Sequence, residues 1–215
     1  MASIHTRASK TIATILLIKF LFFILLNTPI YYTFSLISFP RIPAGLNNKT
    51  ITNLIRPVDL FGDPIASYNE DAIFMDVKCS YKNKSVILKL KMKADNWTLD
   101  KDNKKVVLND LKTTSKPLGF FMQEYGSFVK FHYARQFGMY MWMLKHLCKK
   151  EFGTNNTWNY FANVIVVETS CENKAGLFRV SRSTIKNGEN EFIQLLKQVG
   201  YCELYGYDDS INFIE

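Results

Sequence analysis

Residues 86–95 read Val-Ile-Leu-Lys-Leu-Lys-Met-Lys-Ala-Asp, and residues 106–114 read Val-Val-Leu-Asn-Asp-Leu-Lys-Thr-Thr. In the first run Leu88, Leu90, Met92 and Ala94 alternate with Lys89, Lys91, Lys93 and Asp95. Alternation with period 2 is the signature of a strand with one apolar and one charged face. Asp95 therefore falls on the lysine face. The segment between, residues 96–103, is polar and carries turn formers, so the spacing predicts a loop there. In the second run Val106, Leu108, Asp110 and Lys112 share one face, and Val107, Asn109 and Leu111 share the other.

If these two strands pair antiparallel, Asp95 and Asp110 lie about equally far from the loop. Cross-strand neighbours are about 5 Å apart, close enough for two carboxylates to share a cation. A hard ion such as Mg²⁺, or Mn²⁺ in its place, takes oxygen ligands: one or two carboxylates, waters and a substrate phosphate. Asp95 and Asp110 are the candidate ligands, and the backbone carbonyl of Leu111 is a third. Lys112, on the same face as Asp110, would orient or help deprotonate an attacking water and offset transition-state charge. The competing interpretation of a lone Asp-x-Lys is a solvated hairpin. An acid one strand earlier and an apolar run into the motif weigh against it.

Residues 127–148 lack Pro and are apolar on most sides, which predicts a helix buried between the sheet and another layer. Ser127 suits an N-cap, and Lys145, His146, Lys149 and Lys150 suit the C-terminal end. His132, Gln136 and Tyr140, spaced i, i+4, i+8, share a stripe. Arg135, next to Gln136, suits either a phosphate contact or a surface charge.

Asp95, then Asp110-Leu-Lys112-Thr-Thr, then Gln136-Phe-Gly-Met-Tyr140, resembles in order the PD-(D/E)xK nuclease superfamily, in particular its phage exonuclease and RecB-like branch. The likeness spans roughly residues 62–204. It implies a mixed central β-sheet flanked by helices, a restriction-endonuclease-like α/β core. It also implies a metal-dependent DNA nuclease, most naturally an exonuclease of replication or recombination. In that scheme Asp95, Asp110 and Lys112 are catalytic, and Gln136, Tyr140, Arg135 and Lys93 attend the substrate. DNA is the expected partner, with a second copy or a recombination protein as further ones. The superfamily also places a Glu-bearing helix ahead of the sheet. No amphipathic helix is evident between residues 47 and 70, and Glu70, in a stretch that reads as a turn, is the best-placed candidate for the missing ligand. A catalytically inactive nucleic-acid-binding module on the same fold is therefore the first rival.

The chain has 215 residues and a formal net charge of +8. That length suits one domain with a sizeable core, and the charge suits a polyanion without requiring one. Residues 11–39 form an apolar run interrupted by Lys19 and Pro29. Three explanations compete for residues 1–46: a membrane helix, an apolar helix packed on the domain, or foreign sequence ahead of a mis-called start. Residues 47–215 are read as the nuclease domain, expected in the cytoplasm (the host's, if the gene is a phage's). A membrane-anchored basic protein is the second rival. Sequons occur at Asn48, Asn83, Asn96 and Asn155, where an Asn-rich chain supplies chance matches. Cys79, Cys148, Cys171 and Cys202 are too widely spaced for a zinc site and are expected as free thiols. Further strands are expected at residues 72–81, 163–169 and 178–180, with a hairpin turn at 82–84. A helix is expected at 190–199, and an acidic, peripheral tail at 205–215. Glu168 is expected at a solvated strand end.

Overall fold

Apolar and charged residues alternate through residues 72–93, and in the computed structural model they form the two-stranded ribbon that this pattern favours. The structure describes residues 53–59, 61–153, 157–169 and 174–206. The chain divides into two units, residues 1–36 and 37–215, and every described residue belongs to the second. The N-terminal apolar segment, the sequons at Asn48 and Asn155, Cys171 and residues 207–215 lie outside the described residues. Among the described residues no helix is long and apolar enough to cross a membrane.

The strands are β1 (Ala66–Asn69), β2 (Ala72–Tyr81), β3 (Lys84–Lys93), β4 (Asn96–Asp100), β5 (Lys105–Thr114), β6 (Asn159–Glu168) and β7 (Ala175–Val180). Besides a helical stretch at residues 53–55, the helices among the described residues are α1 (Leu118–Phe121), α2 (Ser127–Lys130), α3 (Tyr133–Phe152) and α4 (Arg182–Tyr205). A five-stranded mixed sheet runs in the order β1-β4-β5-β6-β7, and β2 and β3 form the separate ribbon. The β5–β6 pair is parallel, and α3 makes the crossover between its strands; β1–β4, β4–β5 and β6–β7 are antiparallel. The protein is thus α/β, a mixed sheet flanked by helices.

One sheet face is the core. Trp97, Leu99, Val106, Leu108, Ala162, Val164 and Val166 are buried there with Phe137, Met141 and Leu144 of α3. Helix α4 lies along α3 at a glycine contact so close that a Cβ on Gly188 would stand 1.9 Å from the Ala134 carbonyl oxygen. Gly138 faces it, and a Cβ there would meet the Gly188 carbonyl carbon at 2.1 Å. The ribbon's apolar face (Val77, Cys79, Leu88, Leu90) closes over Phe192 and Leu196 of α4.

Three sequence expectations are corrected. Residues 96–100, expected as loop, are the buried strand β4, because Trp97 and Leu99 sit in the core while Asn96 and Thr98 are buried on the other face. The turn comes later, at residues 101–104, with Lys104 in the left-handed region at φ 48°. The expected helix 127–148 is broken at His132, whose φ of 53° is left-handed. Its first turn, α2, begins after Gly126 rather than under a Ser127 side-chain cap. The last helix begins at Arg182, well before residue 190: Ser181 Oγ accepts from the Thr184 N–H at 3.0 Å, and Gly188 and Glu189 are buried despite their polar setting. The strand expectation for 72–81 agrees with β2, and those for 163–169 and 178–180 fall within longer strands save Thr169.

Candidate active site

Strands β1 and β2, and likewise β3 and β4, are the two arms of one bent ribbon. The bend falls where Glu70, at φ 52°, donates its N–H to the Asp95 carbonyl at 3.1 Å. Beyond the bend, β4 pairs with β5 in the register Asn96↔Asn109. Extended one residue, that register sets Asp95 opposite Asp110. Asp95 Oδ2 accepts from the Leu111 N–H at 2.7 Å, which ties the exposed carboxylate to the strand carrying Asp110.

Asp110 differs sharply from Asp95 in setting: it is 2% exposed. Its Oδ1 accepts a long bond, 3.4 Å, from Gln136 Nε2. Its Oδ2 faces the Lys112 ammonium as an ion pair but accepts no well-formed hydrogen bond. Burial pushes the Asp110 carboxyl above the ordinary carboxylate range; Lys112 pulls it down, and the neighbouring Asp95 charge pushes it up. Burial disfavours the charged form, and the Lys112 ammonium offsets part of that cost.

Lys112 lies 4.8 Å from the centroid of the Tyr133 ring, which forms one wall of the site. Tyr140 donates its hydroxyl to the Lys93 carbonyl at 3.2 Å and also bonds Gln136. Burial raises the Tyr140 phenol above its usual value, so it stays protonated as a donor. Helix α3 therefore sets Tyr133, Gln136 and Tyr140, spaced i, i+3, i+7, along the side of the acid pair.

Asp95, Asp110, Lys112, Gln136 and Tyr140 come together from β3–β4, β5 and α3. Leu111 joins them through its main chain. Other expected site residues do not. Arg135 is ion-paired to Glu191 of α4 at 3.0 Å, with its side chain 13% exposed. Glu70 bonds the Lys93 ammonium at 2.6 Å at the ribbon surface, which holds its carboxyl below the usual range. Lys93 is thereby paired, though still half-exposed. Glu168 is buried rather than solvated, its Oε2 accepting from the Leu118 N–H at 3.1 Å.

Two features were not read from the sequence. Tyr133 is one; its signal was the i, i+3, i+7 spacing with Gln136 and Tyr140. The other lies on the opposite face of the sheet, where Asn69, Asn96, Asn109 and Asn163 form a cross-strand row. Asn163 Nδ2 donates to Asn109 Oδ1 at 2.9 Å, Asn109 Nδ2 to Asn96 Oδ1 at 2.7 Å, and Asn96 Nδ2 to Asn69 Oδ1 at 3.0 Å. Asn109 also reaches the Leu54 carbonyl at 3.2 Å. This row locks the register that brings Asp95 to Asp110.

Among the described residues no three His, Cys, Asp or Glu side chains converge on one point. The donor chemistry of the acid pair nevertheless fits a hard divalent cation: Asp110 Oδ2, ion-paired with Lys112, lies close to the exposed Asp95 carboxylate. Substrate phosphate and water would complete such a shell.

No protein family matches the sequence, and no curated protein does. Among solved structures, the crystal structure of SSO0001 is similar at a TM-score of 0.35 and 15% sequence identity, over 60% of this chain. The match spans 50% of that protein's chain. A likeness of this size carries no function with it.

Proposed function

We propose that this protein is a metal-dependent DNA nuclease of PD-(D/E)xK type, acting on DNA ends. The observation that carries the reading is the ion-paired Asp110 and Lys112 facing Asp95 across one register step, with Gln136 and Tyr140 alongside. Asp95 and Asp110 hold Mg²⁺ or Mn²⁺, with the Leu111 carbonyl as a further oxygen. When bound, the cation supplies Lewis acidity toward the scissile phosphate and lowers the pKa of water. Lys112 would orient the attacking water and offset phosphate charge. Gln136 steadies Asp110, and Tyr140 fixes the bend by bonding the Lys93 carbonyl. The exposed Asp95 lies on the solvent side of the site, and the buried Asp110 on its inner wall. The PD-(D/E)xK-like core, the DNA substrate and the exonuclease mode are all part of this proposal.

One observation favours a second reading, nucleic-acid binding without cleavage: Glu70 is engaged by Lys93, and the acid pair has no third carboxylate among the described residues. The two readings separate on end-labelled duplex. With Mg²⁺ the protein should release labelled nucleotides, and Lys112→Ala should slow release by about 100-fold or more. Equal rates for the variant would exclude this active site. Binding without any release would select the second reading.

A further inference from the structure

The outer face of the β2–β3 ribbon faces solvent and carries Phe74, Lys78, Ile87, Lys89 and Lys91, all exposed. Phe74 is 71% exposed and Ile87 61%, although the opposite face of the same ribbon packs against the core. Phe74 pairs across the ribbon with Lys91, whose ammonium lies 5.5 Å from the ring centroid. The acids on this face are Asp76, opposite Lys89, and Glu70, bonded to Lys93, so positive charge prevails. Residues two apart on a strand stand about 6.6 Å apart, so Lys89, Lys91 and Lys93 form an even row. Lys93, the last of the row, stands two residues before Asp95, with the bend between them and β4.

We propose that this face is a track for single-stranded nucleic acid, with its phosphates along the lysines and a base stacked on Phe74. A basic row with an exposed aromatic is the combination that holds single strands, because every base offers a π-face. A duplex keeps its bases stacked within itself and cannot lay one on Phe74. The inference rests on the nuclease reading only for the strand's destination at Asp95.

Binding is measured by fluorescence anisotropy on the full chain with labelled oligo-dT, in EDTA so that cleavage does not contribute. Lys89→Ala/Lys91→Ala should weaken binding and reduce the slope of log K against log salt by about 1.4, for two single-strand phosphates. Phe74→Ala should weaken it about 5- to 100-fold with the salt slope unchanged, and Phe74→Trp should retain it. All three positions are exposed, and unchanged circular dichroism confirms the fold. Wild-type affinity in both alanine variants overturns the proposal, as does a blunt hairpin duplex binding more tightly than oligo-dT. So does a loss of binding to phosphatidylserine vesicles with oligonucleotide binding intact, which would assign the face to a membrane. Failure of the nuclease reading leaves this binding in place, whereas failure of the track leaves Lys112-dependent cleavage in place.

Discussion

At the scale of single residues, Asp110 and Asn109 are neighbours on opposite faces of one strand with separate tasks. Asp110 is held in a setting that disfavours its charge, and Asn109 holds the register that delivers Asp95 to it. Asn109→Ala would leave Asn96 Oδ1, Asn163 Nδ2 and the Leu54 carbonyl without their partner in a buried row. A buried polar group left unsatisfied costs about 1–3 kcal/mol, so urea unfolding should show a loss of at least that order. An unchanged midpoint would mean the row is re-formed through water. The two acids and Lys112 were singled out in the sequence by alternation, but their meeting is set by β4 and the turn at residues 101–104 rather than by the loop expected at 96–103. The Asn row was not singled out. Asn109 and Asn163 read as interruptions in apolar runs until the register Asn96↔Asn109↔Asn163 puts them in line.

At the scale of elements, the bend between the ribbon and the sheet and the break before α3 shape the site. Both use left-handed residues that are not glycine, Glu70 and His132. Such conformations are uncommon outside glycine, though His is among the residues that tolerate them, so neither was marked in the sequence. The break lets α2 turn Phe128 into the core beside Phe121 and Phe137 while α3 presents Tyr133, Gln136 and Tyr140. The position of α3 depends in turn on the Gly138–Gly188 crossing. Gly188→Ala drives a methyl group into the Ala134 carbonyl, and overpacking of this kind costs about 1–3 kcal/mol. A thermal melt should show the loss. The proposed nuclease activity should fall too, since Gln136 and Tyr140 ride on the displaced helix. A variant as stable as wild type would show that the helices can part without penalty. The longer extent of α4 escaped sequence reading for a related reason. Glu189 is polar in sequence but buried in the fold, paired with Lys145 of α3.

At the scale of the whole molecule, the mixed sheet has its parallel pair, β5–β6, at the centre, with α3 crossing between the two strands. The ribbon bends away from the β1–β4 pair to cover α4. The acid pair sits where ribbon, sheet and α3 meet, so three separate elements each contribute part of it. The α/β class was legible from strand periodicity and the long apolar helix. The division into a sheet and a bent ribbon was not: Glu70-Asp71 reads as a turn, and Ala94-Asp95 simply continues the alternation of β3. The central claim is that Asp95 and Asp110 together hold a divalent cation. Calorimetric titration of the metal-free protein with Mn²⁺ tests it most directly. The account predicts one site in the wild type, weakened roughly ten-fold or more by Asp95→Asn and by Asp110→Asn, since affinity follows the count of charged ligands. Wild-type affinity in both variants, or no binding in the wild type, would contradict it.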